Sequence, residues 1–455
     1  MSLRKIGLED ILYLYKSLIY AIIKKKETMN MKIKKEIMKY EDVLKLKTDL
    51  KVKPKKPSLL LALLIRLLSI AELSKVKFKY EKIGMEKLGK KEPCLILMNH
   101  SSFIDLKIAN RLLFPRRYNI VSTDDSFVGK KWLLRNIGCI STRKFATDAK
   151  LVRDMINVVK KYKSSILMYP EAGYSLDGTS TILPAHLSKC LKLLNIPVVM
   201  IKTNGAFLRQ PLYNNLRLRD VKINATIKYL LSPEDIEKMP LDELQSILEK
   251  EFAFDYFKEQ LEQNIQISDI YRAEGLNRVL YKCPVCGAEH QMEGVGIKLI
   301  CNSCKESWTM DELGRLTCDS GKDTPNHIPS WYDWQQECVK EEILANKYHL
   351  DMDVKICVLK DFKKIYEVGD GHLTHDETGL TLSAFDGALT YHQPAKRNYS
   401  LCSDYFFYEI GDVICIGDDD MRYYCFPKEK DVVTKARIAT EELYKIINRK
   451  VNYEK

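Results

Sequence analysis

Between about residues 76 and 231, short apolar runs alternate with polar, helix-patterned stretches. Strands are predicted at 93–99, 118–123, 139–143, 164–170, 196–201 and 222–231. Helices are predicted at 103–113, 148–162 and 185–194. Alternation of this kind predicts an α/β layered domain. Beyond it, Ser232-Pro233-Glu234-Asp235 opens a helical region to about residue 264, rich in long charged side chains. From 350 to 430 the pattern changes to short strands separated by turns, and a last helix is predicted over 431–449. Two further runs, 11–23 and 59–73, are apolar except for Lys16 and Ser17 in the first and Arg66, Ser69 and Glu72 in the second.

In layered α/β domains chemistry gathers where strands end. The run ending at Met98 is followed by Asn99-His100-Ser101-Ser102-Phe103-Ile104-Asp105. Ser102 and Asp105 have the spacing of a helix capping box, which would make His100 a bystander. The same spacing also allows a functional pair. A carboxylate in the first helical turn points back to the strand end, where it can fix the tautomer of His100 and make its other nitrogen a general base. Three more elements follow in order: Gly138 to Lys144 with two cations, Tyr169-Pro170-Glu171-Ala172-Gly173-Tyr174-Ser175, and Asn195 to Val199 as a rigid strand start.

His-x4-Asp after a strand, a Gly-x-Ile…Arg element, a Tyr-Pro-Glu turn and a Pro-Val-Val element together resemble the glycerolipid (lysophospholipid) acyltransferases. The resemblance spans 57 to 231. It implies that His100 deprotonates an acceptor hydroxyl, that Asp105 holds the imidazole, and that the hydroxyl attacks an acyl thioester directly. Acyl-CoA or acyl-carrier protein would be the donor, and the acceptor would be a lysophospholipid, with 1-acylglycerol 3-phosphate the one the resemblance favours. Arg143 or Lys144 would bind the acceptor phosphate, and Glu171, Gly173 and Ser175 would shape the acceptor pocket. Two positions depart from the family pattern. Arg143 lies five residues after Gly138, with Lys144 at the usual distance of six. Tyr174 stands where the motif carries arginine, and Arg209 is a candidate substitute. Ser101 and Ser102 are not set in a nucleophile elbow, so no acyl-serine is expected.

Cys283-x2-Cys286 and Cys301-x2-Cys304 are two knuckles at the spacing of a four-thiolate zinc ribbon. Such a site is closed, so the zinc is expected to be structural. His290 reads as a spare surface residue, and the ribbon lacks the dense basic face of a nucleic-acid binder. The 13 cysteines, without a recognisable secretory leader, suggest a reducing compartment rather than disulfides.

Composition is globular, with 45% apolar and 29% charged residues. The net charge of +12 is concentrated at the start: residues 1–56 hold 16 Lys and Arg against 7 Asp and Glu. The apolar runs are shorter than the roughly 20 residues a spanning helix needs. Lying beside basic residues, they predict amphipathic helices on an anionic membrane surface. The expected organisation is a basic amphipathic segment (1–56), an acyltransferase domain (57–232), a helical linker (233–279), a zinc ribbon (280–325) and a β-rich domain (340–452). The last resembles a pleckstrin-homology-like barrel in the order of its elements. His372, His375 and His392 are expected on its surface, and Gly417 to Asp420 is expected as a hairpin turn. The whole reads as a monotopic enzyme of the cytoplasmic membrane face. The alternatives are acylation of another glycerol- or amino-lipid hydroxyl, or a non-catalytic lipid- or nucleic-acid-binding adaptor.

Overall fold

The computed structural model describes residues 33–144, 149–184 and 186–453. The apolar run at 11–23 and part of the basic excess lie outside the described residues.

A seven-stranded sheet forms the first large unit. Its strands run in the order Lys79–Ile83, Asn224–Leu231, Val198–Asn204, Leu95–Met98, Ser165–Met168, Tyr118–Thr123 and Cys139–Thr142. Every pairing is parallel except that between Val198–Asn204 and Asn224–Leu231. Leu95–Met98 is central and buried at all four positions, as a strand covered on both faces must be. The six predicted strands are present. Lys79–Ile83 escaped prediction because all five of its residues are exposed, which leaves no alternation to read. The helix predicted over 148–162 is an α-helix at Ala149–Asn157 that loosens into a π-helical segment at Val158–Tyr162.

The C-terminal unit is an antiparallel sheet. A meander of four strands, Leu350–Leu359, Ile365–Asp376, Gly379–Ala384 and Leu389–Pro394, pairs through its first strand with a second meander. That meander comprises Cys402–Phe407, Gly411–Gly417 and Arg422–Pro427. A helix, Val432–Tyr453, packs on it. The expected boundary at residue 56 is not where the chain divides. Lys35–Ile37 adds to this sheet beside Ile365–Asp376, and Val43 is fully buried.

The two large units share one apolar core. Phe127, Val128 and Leu359, Phe362, Phe407, Tyr424 and Phe426 belong to the same buried cluster. The Phe127 and Phe362 rings lie 5.5 Å apart, the Gly129 N–H donates to the Phe362 carbonyl, and Arg422 bonds Asp124 at 3.2 Å. Separating the units would expose this core to water, so they hold a fixed geometry.

The linker packs Leu244, Leu248 and Phe252 under the first sheet. The four-stranded ribbon (Met292–Val295, Lys298–Cys301, Ser307–Met310, Leu316–Cys318) meets an unpredicted helix, Ile328–Leu344, through Trp308 and Trp331 at 5.0 Å. Salt bridges from Lys282 and Lys435 to both Glu289 and Glu342 tie the ribbon to the C-terminal helix. His375 is 1% exposed rather than superficial. It bonds the Tyr348 hydroxyl at 2.8 Å, and burial drives its pKa down to about 3, so it is a neutral core residue. His290 is half-buried and stacks on Tyr281.

Candidate active site

Three parallel strands end at one edge of the first sheet and deliver the site. His100 follows Leu95–Met98, Tyr169 follows Ser165–Met168, and Arg143 and Lys144 follow Cys139–Thr142. The fourth sequence element does not join them. Pro197 precedes Val198, whose register partner is Leu95, so it stands at the opposite end of the sheet and only starts a strand.

Asp105 is the first residue of the helix Asp105–Leu113 and is 1% exposed. Its Oδ2 accepts from the Ser101 N–H (2.8 Å) and the Ser102 N–H (3.1 Å), and lies 3.0 Å from His100 Nδ1. The capping-box alternative is met only in the Ser102 N–H bond to Asp105, because Ile104 is the N-cap and no side chain caps the helix. The carboxylate instead braces the turn that precedes it. This holds Nδ1 as the protonated nitrogen and leaves Nε2 as the basic one. The imidazole is clamped between Tyr169 and Tyr174, at ring distances of 4.1 and 4.2 Å. Tyr174, at the position of the missing motif arginine, therefore works by ring packing.

Glu171 is 1% exposed and braces the loop. Its Oε2 accepts from the His100 N–H and its Oε1 from the Thr181 N–H, each at 3.1 Å. Burial pushes its carboxyl up to about 8 against the pull of those donors. Ala172 beside it adopts φ +56°, a left-handed conformation that glycine enters more cheaply. Ser175 is equally buried and bonds the Thr179 carbonyl (2.6 Å) and the Gly178 N–H (3.0 Å). Glu171 and Ser175 therefore sit behind the pocket wall, a correction to their expected contact with substrate.

A cavity of about 460 Å³ opens at His100, lined also by Ser102, Gly173, Arg143 and Lys144. Arg209 does not reach it; it is buried and pairs with Glu72 at 3.6 Å. The far wall comes from the C-terminal unit: Tyr399 and residues 404–408, in and beside the strand Cys402–Phe407, line the same cavity. That unit also supplies carboxylates to both expected phosphate ligands. Arg143 meets Asp419 at 3.1 Å and Lys144 meets Asp404 at 3.9 Å. Burial works against the Lys144 charge, but Asp404 and its neighbours outweigh it and raise the ammonium pKa. Asp419 lies in the hairpin turn expected at 417–420.

Sequence reasoning missed Tyr256. Its hydroxyl lies 2.5 Å from Asn99 Nδ2 and 2.6 Å from Ser101 Oγ, while Asn99 Oδ1 accepts from the Thr203 N–H at 2.8 Å. Ser101 is thereby committed to bracing. Tyr256 lies on a linker helix far along the chain, and its only trace is an aromatic run, Phe252 to Phe257, inside a charged segment.

Comparison with known proteins bears on the same stretch of the chain. Residues 79–198 match the Acyltransferase family model. The matched stretch contains His100, Asp105, Arg143, Lys144 and Glu171. The chain is also similar to the crystal structure of the 1-acyl-sn-glycerophosphate (LPA) acyltransferase PlsC from Thermotoga maritima. The identity is 14%, over 44% of this chain and 79% of that one, with a TM-score of 0.34. At that level this likeness carries no argument. No curated protein matches the chain.

Outside the acyltransferase domain, the four ribbon cysteines converge. Their sulfurs all lie within 4.8 Å of one another, and the pairs Cys283–Cys304 and Cys286–Cys301 are 3.8 Å apart. A tetrahedron with metal–sulfur bonds of about 2.3 Å has edges of about 3.8 Å. The two knuckles close alike, with the Gly287 N–H on the Cys283 carbonyl and the Lys305 N–H on the Cys301 carbonyl. These four residues can hold a metal ion.

Proposed function

We propose that the chain transfers an acyl group from acyl-CoA or acyl-carrier protein to the hydroxyl of a lysophospholipid at a membrane surface. The observation that carries this is the 3.0 Å His100–Asp105 contact at the mouth of a cavity inside a matched acyltransferase domain. His100 Nε2 takes the acceptor hydroxyl proton as the oxygen attacks the thioester carbonyl. A new C–O bond forms, the C–S bond breaks, and the proton passes from the imidazolium to the departing sulfur. The scheme uses no acyl-serine: Ser101 Oγ is held by Tyr256, and neither Ser101 nor Ser102 sits in a nucleophile elbow. The test is transfer of a labelled acyl chain to a panel of lysolipids, with 1-acylglycerol 3-phosphate as the reference acceptor. Transfer that is lost in the His100→Ala variant supports the reading; no transfer to any acceptor favours the adaptor alternative. The ribbon metal is proposed to be a structural zinc. The two meanders closed by a helix support a pleckstrin-homology-like reading of the C-terminal domain.

The membrane reading rests on the helix Leu59–Lys75. Among the described residues no helix is long and apolar enough to cross a membrane. This one nevertheless exposes Leu59, Leu60, Leu63, Leu67, Leu68 and Ile70, and Trp132 stands 74% exposed on a helix that contacts it. It packs on Asp105–Leu113, the helix that carries the catalytic carboxylate, through Arg66 to the Arg111 carbonyl and Asn110 to the Ala62 carbonyl. A membrane-seated helix there would hold the site at the lipid surface, on the cytoplasmic face by the proposed localisation. Full burial of a leucine side chain is worth roughly 1.5–3 kcal/mol. Replacing Leu60, Leu63 and Leu67 together by Ser should therefore weaken binding to anionic vesicles at least about 10-fold with the fold retained. Unchanged sedimentation with vesicles would remove the interface role of this helix.

A further inference from the structure

The two cations expected to bind an acceptor phosphate are not equivalent. Asp419, the partner of Arg143, is 81% exposed in a hairpin turn, so an incoming phosphate displaces it at little cost. Asp404, the partner of Lys144, belongs to the strand Cys402–Phe407 and lines the cavity itself. That strand is held by the core the two large units share, so Asp404 cannot swing aside. Its Oδ2 faces Lys144 beyond hydrogen-bond distance, and its Oδ1 is buried with no hydrogen-bond partner. Asp125 joins it on the cavity wall, accepting a hydrogen bond from the Tyr408 hydroxyl at 3.1 Å. Burial, with Asp125 adding to it, pushes the Asp404 carboxyl up to about 6 although Lys144 pulls the other way. The wall is thus short of positive charge. Around the cavity Arg143 and Lys144 face three carboxylates, Asp105, Asp125 and Asp404.

We propose that this pocket selects a lysophospholipid with a zwitterionic headgroup, its phosphodiester on Arg143 and its ammonium toward Asp404, and that Asp404 is the residue that discriminates against a phosphate monoester. The proposal deepens the acyl-transfer reading and rests on it. A phosphate monoester carries about −1.5 to −2 charge at neutral pH, and only Arg143, by giving up its exposed partner Asp419, can answer it. A zwitterion brings one negative charge for Arg143 and one positive charge for the Asp404–Asp125 wall, and leaves Lys144 paired. The hydroxyl to be acylated is then presented to His100 at the other end of the same cavity.

The experiment compares kcat/KM of the full-length protein for 1-acylglycerophosphocholine, 1-acylglycerophosphoethanolamine and 1-acylglycerol 3-phosphate, with one acyl donor throughout. Opposite charges about 4 Å apart near a protein surface interact by several kcal/mol. A preference of at least about 10-fold for the zwitterionic acceptors is therefore expected. Asp404→Asn should narrow that ratio at least about 10-fold, mainly through opposite changes in the two KM values. Asp404→Glu should keep the preference, which a merely structural role would not require. Equilibrium binding of short-chain forms of the same lipids to His100→Ala protein should rank them alike without relying on turnover or on the Asp404 variants. A wild-type preference for 1-acylglycerol 3-phosphate, or an unchanged ratio in folded Asp404→Asn protein, overturns the headgroup assignment alone. Absence of transfer to all three acceptors overturns the acyl-transfer reading and the assignment with it.

Discussion

Replacing His100 by alanine should lower kcat by about 100-fold or more, the usual scale of a general base, while leaving the melting temperature close to that of the wild type. The fold should tolerate the change because the side chain is 24% exposed and lies at a cavity, not in the sheet core. What is lost is specific. Neither Ser101, engaged by Tyr256, nor Glu171, turned to the backbone, can take the place of Nε2. The KM for the acyl donor should change little, because His100 acts on the acceptor proton. Asp105→Asn should be milder in turnover. Its amide oxygen can still accept from the Ser101 and Ser102 N–H groups, but the amide neither balances nor orients the imidazolium as a carboxylate does. Activity is measured on protein whose circular dichroism matches wild type. Full activity in folded His100→Ala protein would remove the mechanism.

Much of this site was legible in the sequence because parallel strands place the residues that follow them on one edge. Knowing that His100, Tyr169 and Arg143 each follow an apolar run was enough to bring them together. The Pro197 element followed the same pattern in sequence but begins a strand, and strand direction sends it to the other end. Glu171 was legible as a pocket residue or a loop brace and Ser175 only as a pocket residue, because burial behind a wall depends on the path of a loop. Lys79–Ile83 was invisible, since an exposed edge strand carries no hydrophobic alternation. The contributions of Tyr256, Asp404 and Asp419 come from contacts across 150 residues or more, which neither periodicity nor spacing reports. The wall built by the C-terminal sheet changes the reading most. It converts a pair of phosphate-binding cations, as the motif would have them, into a site whose charges are largely spent.

Stripping the proposed zinc should unfold the ribbon and lower the melting temperature of the whole chain, by far more than any single surface substitution. Four thiolates with 3.8 Å sulfur–sulfur contacts have no stable arrangement as a cluster of charges; a divalent ion at their centre supplies the attraction. In isolated zinc-binding peptides the metal contributes about 10–16 kcal/mol of apparent binding energy, and binding there is inseparable from folding. Here the effect should spread beyond the ribbon. Cys283 and Cys301 are fully buried in the cluster that also holds Trp308, Trp331, Tyr405 and Val432, so the metal site and the C-terminal domain share packing. Arg278, just before the first knuckle, bonds Asp412 at 2.9 Å and extends that link to the sheet lining the active-site cavity. Elemental analysis should find one zinc per chain in protein never exposed to chelator. Cys283→Ser should lose the metal and the cooperative melt, whereas Cys190→Ser, outside the cluster, should keep both. Because the four ligands leave no open position, kcat per folded molecule should not depend on which divalent metal fills the site. A metal content near zero in freshly purified, folded protein would overturn the zinc assignment. Turnover that tracked the identity of a substituted metal at constant melting temperature would overturn its structural role.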